Sequence, residues 1–149
     1  MAIIKNEIMI DAPLEKIWEA LTQIEMLDQY DPTVKKSTAL TDSKTGVGAR
    51  RKVEMLDGKN WFEETCTEAV PNKALTYELT ACSFPVHKLK HSYSFKAEGR
   101  NVKVSQIMEY NVKFGFLGKI IDALVVRRQS DAGIKKFFTG LKNYLEQSK

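Results

Sequence analysis

The order of hydrophobic and polar positions divides the chain into a strand, a helical segment, a long strand-rich region and a helical tail. Residues 3–10 alternate, with Ile4, Ile8 and Ile10 on one side and charged residues on the other, which predicts a strand. Residues 12–32 change to helical spacing, with one proline suited to a first helical turn and another at the end. This segment predicts a helix followed by a second short helix.

A period of two returns between about residue 33 and residue 113, interrupted by turn sequences. Asp57 and Gly58 form a pair that is typical of a two-residue primed turn. We predict at least five consecutive strands in an antiparallel meander, with a further one ahead of them, at "TVKKSTAL", "VGARRKVEML", "KNWFEETCTEAV", "ALTYELTAC", "PVHKLKHSYSFKA" and "VKVSQIMEYNVKF".

The tail returns to helical spacing from about Phe116 to Gln147. A helix of roughly thirty residues spans about 45 Å and can lie across a whole sheet. Gly133 and Gly140 fall inside it, and each costs about 1 kcal/mol of helix stability relative to alanine. We therefore expect these glycines to permit close approach to the sheet or to a ligand.

The predicted strand at residues 85–97 has one polar and one apolar face. Its lysines and serines share one parity, and the other parity contains His87, Leu89, His91, Tyr93 and Phe95. A helix would scatter the lysines around its circumference, so a strand is favoured and the second set is expected to face inward. A tight hairpin at "EGRN" would then set Tyr93 opposite Gln106. It would also set His91 opposite Met108, so that two apolar faces coincide.

The two histidines, His87 and His91, raise the question of a metal site. On a helix this spacing would bring them about 5–6 Å apart on one face. On a strand they lie roughly 13 Å apart, too far to share one ion. The two cysteines, Cys66 and Cys82, also lack the spacing of zinc ligands. We predict no metal site, no cofactor, and cysteines that pack as small apolar side chains in a reducing compartment.

The predicted inward face mixes apolar side chains with more polar groups than a dry core can satisfy. A two-residue turn would set Arg51 opposite Glu64, pointing inward together either as a structural ion pair or as ligand contacts. An apolar pocket with a few placed polar groups would accommodate this mixture. The candidate ligand-binding residues are Arg51, Val53, Phe62, Glu64, Tyr77, Leu79, Phe84, His87, Leu89, His91, Tyr93, Gln106, Met108, Tyr110 and Leu124.

Composition places the chain among ordinary globular proteins. It has 149 residues, of which 43% are hydrophobic and 28% charged, and we expect one domain over residues 1–149. The net charge of +4 comes from basic residues scattered among acidic ones, so a nucleic-acid partner is not expected. No run approaches the roughly 20 apolar residues that span a bilayer, and the start has no pattern of an export signal. We therefore expect no integral membrane association and a cytoplasmic location.

Four stretches carry a resemblance to a known superfamily: "IDAPLEKIWEALTQIEMLDQYDPTVKKS", "GVGARRKVEM", "PNKALTYEL" and "GIKKFFTGLKNYLEQ". Together they resemble the START-like (SRPBCC) superfamily, which includes polyketide cyclases and dehydrases, lipid-transfer domains and birch-pollen-allergen-type proteins. The resemblance implies an α+β helix-grip fold. In that fold a curved antiparallel sheet wraps around a long C-terminal helix, two short helices follow the first strand, and an internal cavity holds an apolar or amphipathic molecule.

Three functions are compatible with this resemblance. The favoured one is binding or transport of a hydrophobic or amphipathic small molecule, such as a lipid, a polyketide or an aromatic compound. The second is a cyclase or dehydratase, with His91, His87 and Tyr93 as candidate catalytic residues. The third is a protein-partner module like the chaperone-cofactor branch of the fold. We expect a monomer or a homodimer.

Overall fold

The computed structural model describes residues 2–112 and 125–147. Helix α1 begins after Pro13, whose carbonyl accepts hydrogen bonds from the backbone amides of Lys16 and Ile17. The elements in chain order are β1 (Ala2–Ile10), α1 (Leu14–Thr22), α2 (Leu27–Tyr30), β2 (Val34–Ala39), β3 (Arg50–Met55), β4 (Trp61–Val70), β5 (Ala74–Cys82), β6 (Val86–Glu98), β7 (Asn101–Val112) and α3 (Arg127–Gln147).

Within the described residues, seven strands form one antiparallel sheet in the order β1-β7-β6-β5-β4-β3-β2. Strands β2 to β7 follow one another as a meander, and β1 pairs with β7, the last strand. The sheet is curved, with the two short helices after β1 and the long helix at the end of the chain. The predicted α+β helix-grip fold is confirmed.

The predicted strand registers are confirmed at the two hairpins that matter for function. In the β6–β7 hairpin Tyr93 pairs with Gln106, and His91 pairs with Met108. In the β3–β4 hairpin Arg51 pairs with Glu64. The inward-facing side chains of these four strands therefore lie on one face of the sheet.

The predicted primed turn at Asp57 and Gly58 is wrong in its type. Gly58 has a positive φ of 73°, but Asp57 does not, and a type I′ turn needs both. The tight turn instead precedes Gly58, whose amide donates to the carbonyl of Met55 at 3.3 Å. The Asp57 carboxylate then accepts from the backbone amides of Lys59 and Asn60, each at 2.8 Å, so the turn is wider although the strand register is unchanged.

Helix α3 covers the inner face of the sheet through one apolar stripe, whose buried members are Ile134, Phe137, Phe138, Leu141 and Leu145. Gly140 lies where α3 meets the end of α2, because a Cβ atom there would collide with the backbone of Tyr30 and lie 2.9 Å from Pro32 Cδ. Gly140 therefore permits a close approach, but to the backbone carbonyl of Tyr30 and not, as predicted, to the sheet or to a ligand.

The start of the predicted long helix, from Phe116 to Leu124, lies outside the described residues. The described part of α3 is 21 residues long. No helix in the described ranges is long and apolar enough to cross a membrane.

Candidate functional site

A pocket of about 460 Å³ lies between the inner face of the sheet and the helices α2 and α3. This volume is within the roughly 300–1,000 Å³ of small-molecule sites. Its sheet side is formed by β3 to β7, and the loops before β4 and before β6 contribute to its border. The predicted site residues that line it are Arg51, Phe62, Glu64, Tyr77, Phe84, Leu89, His91, Tyr93, Gln106 and Met108.

His87 lies outside this pocket, so its predicted inward orientation is wrong. The β6–β7 register shifts between Val86 and Lys88, which leaves His87 as the extra residue of a bulge, and its side chain is exposed. Val86, only 3% exposed, lines the pocket instead. The bulge exchanges a polar imidazole for an apolar side chain on the inner face.

Four other predicted residues do not line the pocket or cannot be placed. Val53 and Tyr110 are fully buried, and the pocket does not reach their side chains. Leu79 is half-buried and packs against the edge of the core. Leu124 lies outside the described residues.

Arg51 and Glu64 form a buried ion pair on the sheet wall of the pocket. Arg51 Nε and Nη2 both contact Glu64 Oε2, at 2.8 and 2.6 Å, and the two residues are 5% and 3% exposed. The guanidinium carbon lies 4.5 Å from the centroid of the Tyr77 ring, a cation–π contact. The pair is thus structural and also lines the pocket, so the two alternatives left open by the sequence are both compatible with its position.

The ionised state of this pair follows from its neighbours. Burial disfavours the charge on Arg51, but the Glu64 carboxylate together with Tyr77 and Tyr30 outweighs it, so the pKa of Arg51 is raised and the guanidinium stays protonated. Burial raises the pKa of the Tyr77 hydroxyl, which donates a hydrogen bond to the carbonyl of Leu21 at 2.8 Å. Tyr77 is therefore a fixed, neutral part of the wall.

A second polar group is formed by His91, Tyr93 and Gln106. Gln106 Nε2 donates to the Tyr93 hydroxyl at 2.9 Å, and burial raises the pKa of that hydroxyl. Burial lowers the pKa of His91, so its imidazole is neutral at pH 7. A neutral imidazole can donate a proton at one nitrogen and accept one at the other.

Four buried side-chain atoms at this pocket have no hydrogen-bond partner within residues 2–112 and 125–147. They are Arg51 Nη1, Glu64 Oε1, His91 Nδ1 and Gln106 Oε1. All four residues line the pocket. An unpartnered buried polar atom costs about 1–3 kcal/mol, so four of them at one pocket indicate groups that bond to what enters it.

Most of the helix side of the pocket and two of its carboxylates, Asp31 and Asp57, were not among the predicted site residues. Asp31 lines it, and burial raises the pKa of this carboxyl although the Thr33 amide and hydroxyl donate to it. On the helix side the lining residues are Val125 and Val126, just before α3, and Gln129, Ser130, Gly133, Ile134 and Phe137 on α3. Their spacing of three to four residues was the available signal, because it defines a single helix face.

The described residues contain no group of three or more histidine, cysteine, aspartate or glutamate side chains arranged to hold a metal ion.

The model of one protein family, described as polyketide cyclase / dehydrase and lipid transport, matches residues 1–146. None of the curated protein sequences is detectably similar to the chain.

Solved structures share the fold at low sequence identity. The protein TTHA0849 from Thermus thermophilus is 16% identical, with a TM-score of 0.82 and coverage of 99% of both chains. A START superfamily protein from Mycobacterium smegmatis is also 16% identical, with a TM-score of 0.79 and coverage of 99% of both chains. The di-domain ARO/CYC protein BexL of the BE-7585A biosynthetic pathway is 13% identical with a TM-score of 0.79, and the match covers 98% of this chain and 47% of that one.

Proposed function

Because the chain belongs to the polyketide cyclase / dehydrase and lipid transport family, we propose that it binds a hydrophobic or amphipathic small molecule in the pocket between the sheet and α3. The observation that carries this proposal is the composition of the pocket wall. Apolar side chains such as Phe62, Leu89 and Phe137 alternate with a few buried polar groups, which is the composition of sites for amphipathic ligands.

Affinity in such a site comes mainly from burial of apolar ligand surface. Each 100 Å² removed from water contributes roughly 2.5 kcal/mol. Polar groups fixed to the sheet then orient the ligand without losing much conformational entropy, because Arg51 is already held by Glu64 and Gln106 by Tyr93.

Titration of the ligand-free protein with fatty acids, sterols and aromatic polyketides tests this function. We expect saturable binding of at least one class at a ratio of one ligand per chain. Phe62→Ala should weaken that binding, because Phe62 lines the pocket beside Phe84 at a ring distance of 6.2 Å. Phe95→Ala is the matched control, since Phe95 packs on Trp18 and does not line the pocket. Absence of saturable binding by every class would contradict the proposal.

A second candidate function is a cyclase or dehydratase reaction in the same pocket, and the position of His91 favours it. Its neutral imidazole has a buried Nδ1 atom without a partner among the described residues, and it lies beside the Tyr93–Gln106 pair. A neutral imidazole in an apolar pocket can accept a proton from a ligand carbon or oxygen atom.

The two histidines provide a matched test of this second function. With an aromatic polyketide substrate that the protein turns over, His91→Gln should reduce turnover at least about a hundredfold, the usual contribution of a general base. His87→Gln should leave turnover unchanged, because His87 is exposed at the β6 bulge. Equal turnover by both variants would exclude His91 as the acid or base.

A further inference from the structure

We propose that the pocket selects an uncharged ligand carrying a hydroxyl group, such as a phenol or an alcohol, over a carboxylate of the same size. The inference rests on the proposed binding function and specifies the ligand class. Two independent features of the wall lead to it: its charge balance and the kinds of hydrogen-bonding atom that lack partners.

The charge balance disfavours an anion. Among the lining residues that the structure describes, three are acidic, Asp31, Asp57 and Glu64, and the single lysine or arginine is Arg51. The positive charge of Arg51 is already neutralised by Glu64, with two of its nitrogens on one carboxylate oxygen. A carboxylate entering the pocket would therefore bring an unpaired charge against a wall that already carries negative charge.

The unpartnered atoms also favour a hydroxyl group. Glu64 Oε1 and Gln106 Oε1 are acceptors that need a donor, Arg51 Nη1 is a donor that needs an acceptor, and His91 Nδ1 can serve in either role. An ionised carboxylate only accepts hydrogen bonds and leaves both oxygen acceptors unpaired. A hydroxyl group can both donate and accept, so it can donate to an acceptor such as Glu64 Oε1 and can also accept from a donor such as Arg51 Nη1.

An apolar ligand without a hydroxyl group satisfies none of these atoms. Its entry displaces the water that would otherwise solvate them and replaces no hydrogen bond. Among three molecules of nearly equal shape, the pocket should therefore bind the phenol most tightly. The hydrocarbon and the carboxylate should both bind much more weakly.

Naphthalene, 2-naphthol and 2-naphthoate provide this matched set. At pH 7 the phenol is neutral and the carboxylate is ionised. In titrations of the ligand-free protein we expect 2-naphthol to bind at least about tenfold more tightly than either of the others, the effect of one hydrogen bond to a charged group. Equal or tighter binding of 2-naphthoate would overturn the inference, as would equal binding of naphthalene.

The outcomes also separate this inference from the binding function. If the protein binds members of the fatty acid, sterol and polyketide panel but none of the three naphthalene compounds, selection by a hydroxyl group at this wall is overturned and the binding function stands. If it binds neither set, the binding function fails and the inference fails with it.

Glu64→Gln tests the charge argument directly. This variant leaves Arg51 without its counter-charge, so the preference should reverse and 2-naphthoate should bind more tightly than 2-naphthol. Glu63→Gln is the matched control, because Glu63 precedes Glu64 on β4, pairs with Arg50 at 3.7 Å and does not line the pocket. A folded Glu64→Gln protein that still prefers 2-naphthol would overturn the inference. If circular dichroism shows that this variant is unfolded, the wild-type ranking decides.

Discussion

A leucine at position 133 should close the pocket without weakening the fold. Gly133 lies on the face of α3 that lines the pocket, and a Cβ atom there would have no heavy atom within 4 Å. A larger side chain at this position therefore extends into space that a ligand would otherwise occupy.

The expected changes in stability and in affinity have opposite signs. Glycine inside a helix is about 1 kcal/mol less favourable than alanine or leucine, so Gly133→Leu should raise the free energy of unfolding by roughly that amount. For a chain of this size such a gain raises the melting temperature by about 2–4 °C. Forcing a ligand against the new side chain costs about 1–3 kcal/mol, which corresponds to a loss of affinity of about 5-fold to 150-fold.

Thermal denaturation and ligand titration on the same preparation measure both changes. Ala132→Leu is the control, because it adds a leucine to the exposed position next to Gly133 and should leave affinity unchanged. A Gly133→Leu protein that melts higher and binds ligand as well as the wild type would refute the placement of the ligand beside α3. A lower melting temperature would refute the open space at this position.

Three further predictions concern the neighbouring packing and charges. Gly140→Ala should lower the free energy of unfolding by about 1–3 kcal/mol, because the new Cβ collides with the Tyr30 carbonyl. Urea denaturation measures this change, and unchanged stability would contradict the contact. Arg51→Met should lower the free energy of unfolding by about 3–5 kcal/mol, because it leaves the Glu64 charge buried without a partner. The double variant Arg51→Met with Glu64→Met should recover most of this loss. A double variant as unstable as the single one would contradict the explanation. Because burial lowers the pKa of His91 in the folded state, the unfolded chain binds more protons, and stability should fall as the pH drops below the unfolded pKa of about 6.5. His91→Gln should reduce that fall, measured from denaturation midpoints at pH 7 and pH 5. An equal fall in the variant would contradict this explanation.

The sheet face of the site could be predicted because alternation and hairpin length fix the strand register. The short turn at Gly99 and Arg100 leaves one register for β6 and β7, and this register puts Tyr93 beside Gln106. In the same way the β3–β4 register puts Arg51 beside Glu64 even though the turn itself differs from the predicted type. A register error of one residue would have turned these side chains to the other face.

The remaining parts of the site depend on packing that alternation does not encode. The bulge at His87 places Val86 on the inner face of the sheet. It follows from side-chain burial at the start of β6, which the period of the sequence does not predict. Asp31 reaches the pocket because α2 docks against the sheet. The apolar stripe of α3 does not predict which of its two glycines, Gly133 or Gly140, faces open space. Val53 faces inward as expected, but neighbouring side chains cover it completely.

Native mass spectrometry of the wild type and Gly133→Leu, after identical incubation with the same ligand panel, tests the central claim most directly. The claim is that an amphipathic molecule occupies the space between the sheet and the face of α3 that carries Gly133. We expect the wild type to retain one ligand per chain, and Gly133→Leu to retain much less at the same concentration. Equal occupancy of the two chains, or no bound molecule in either, would contradict the claim.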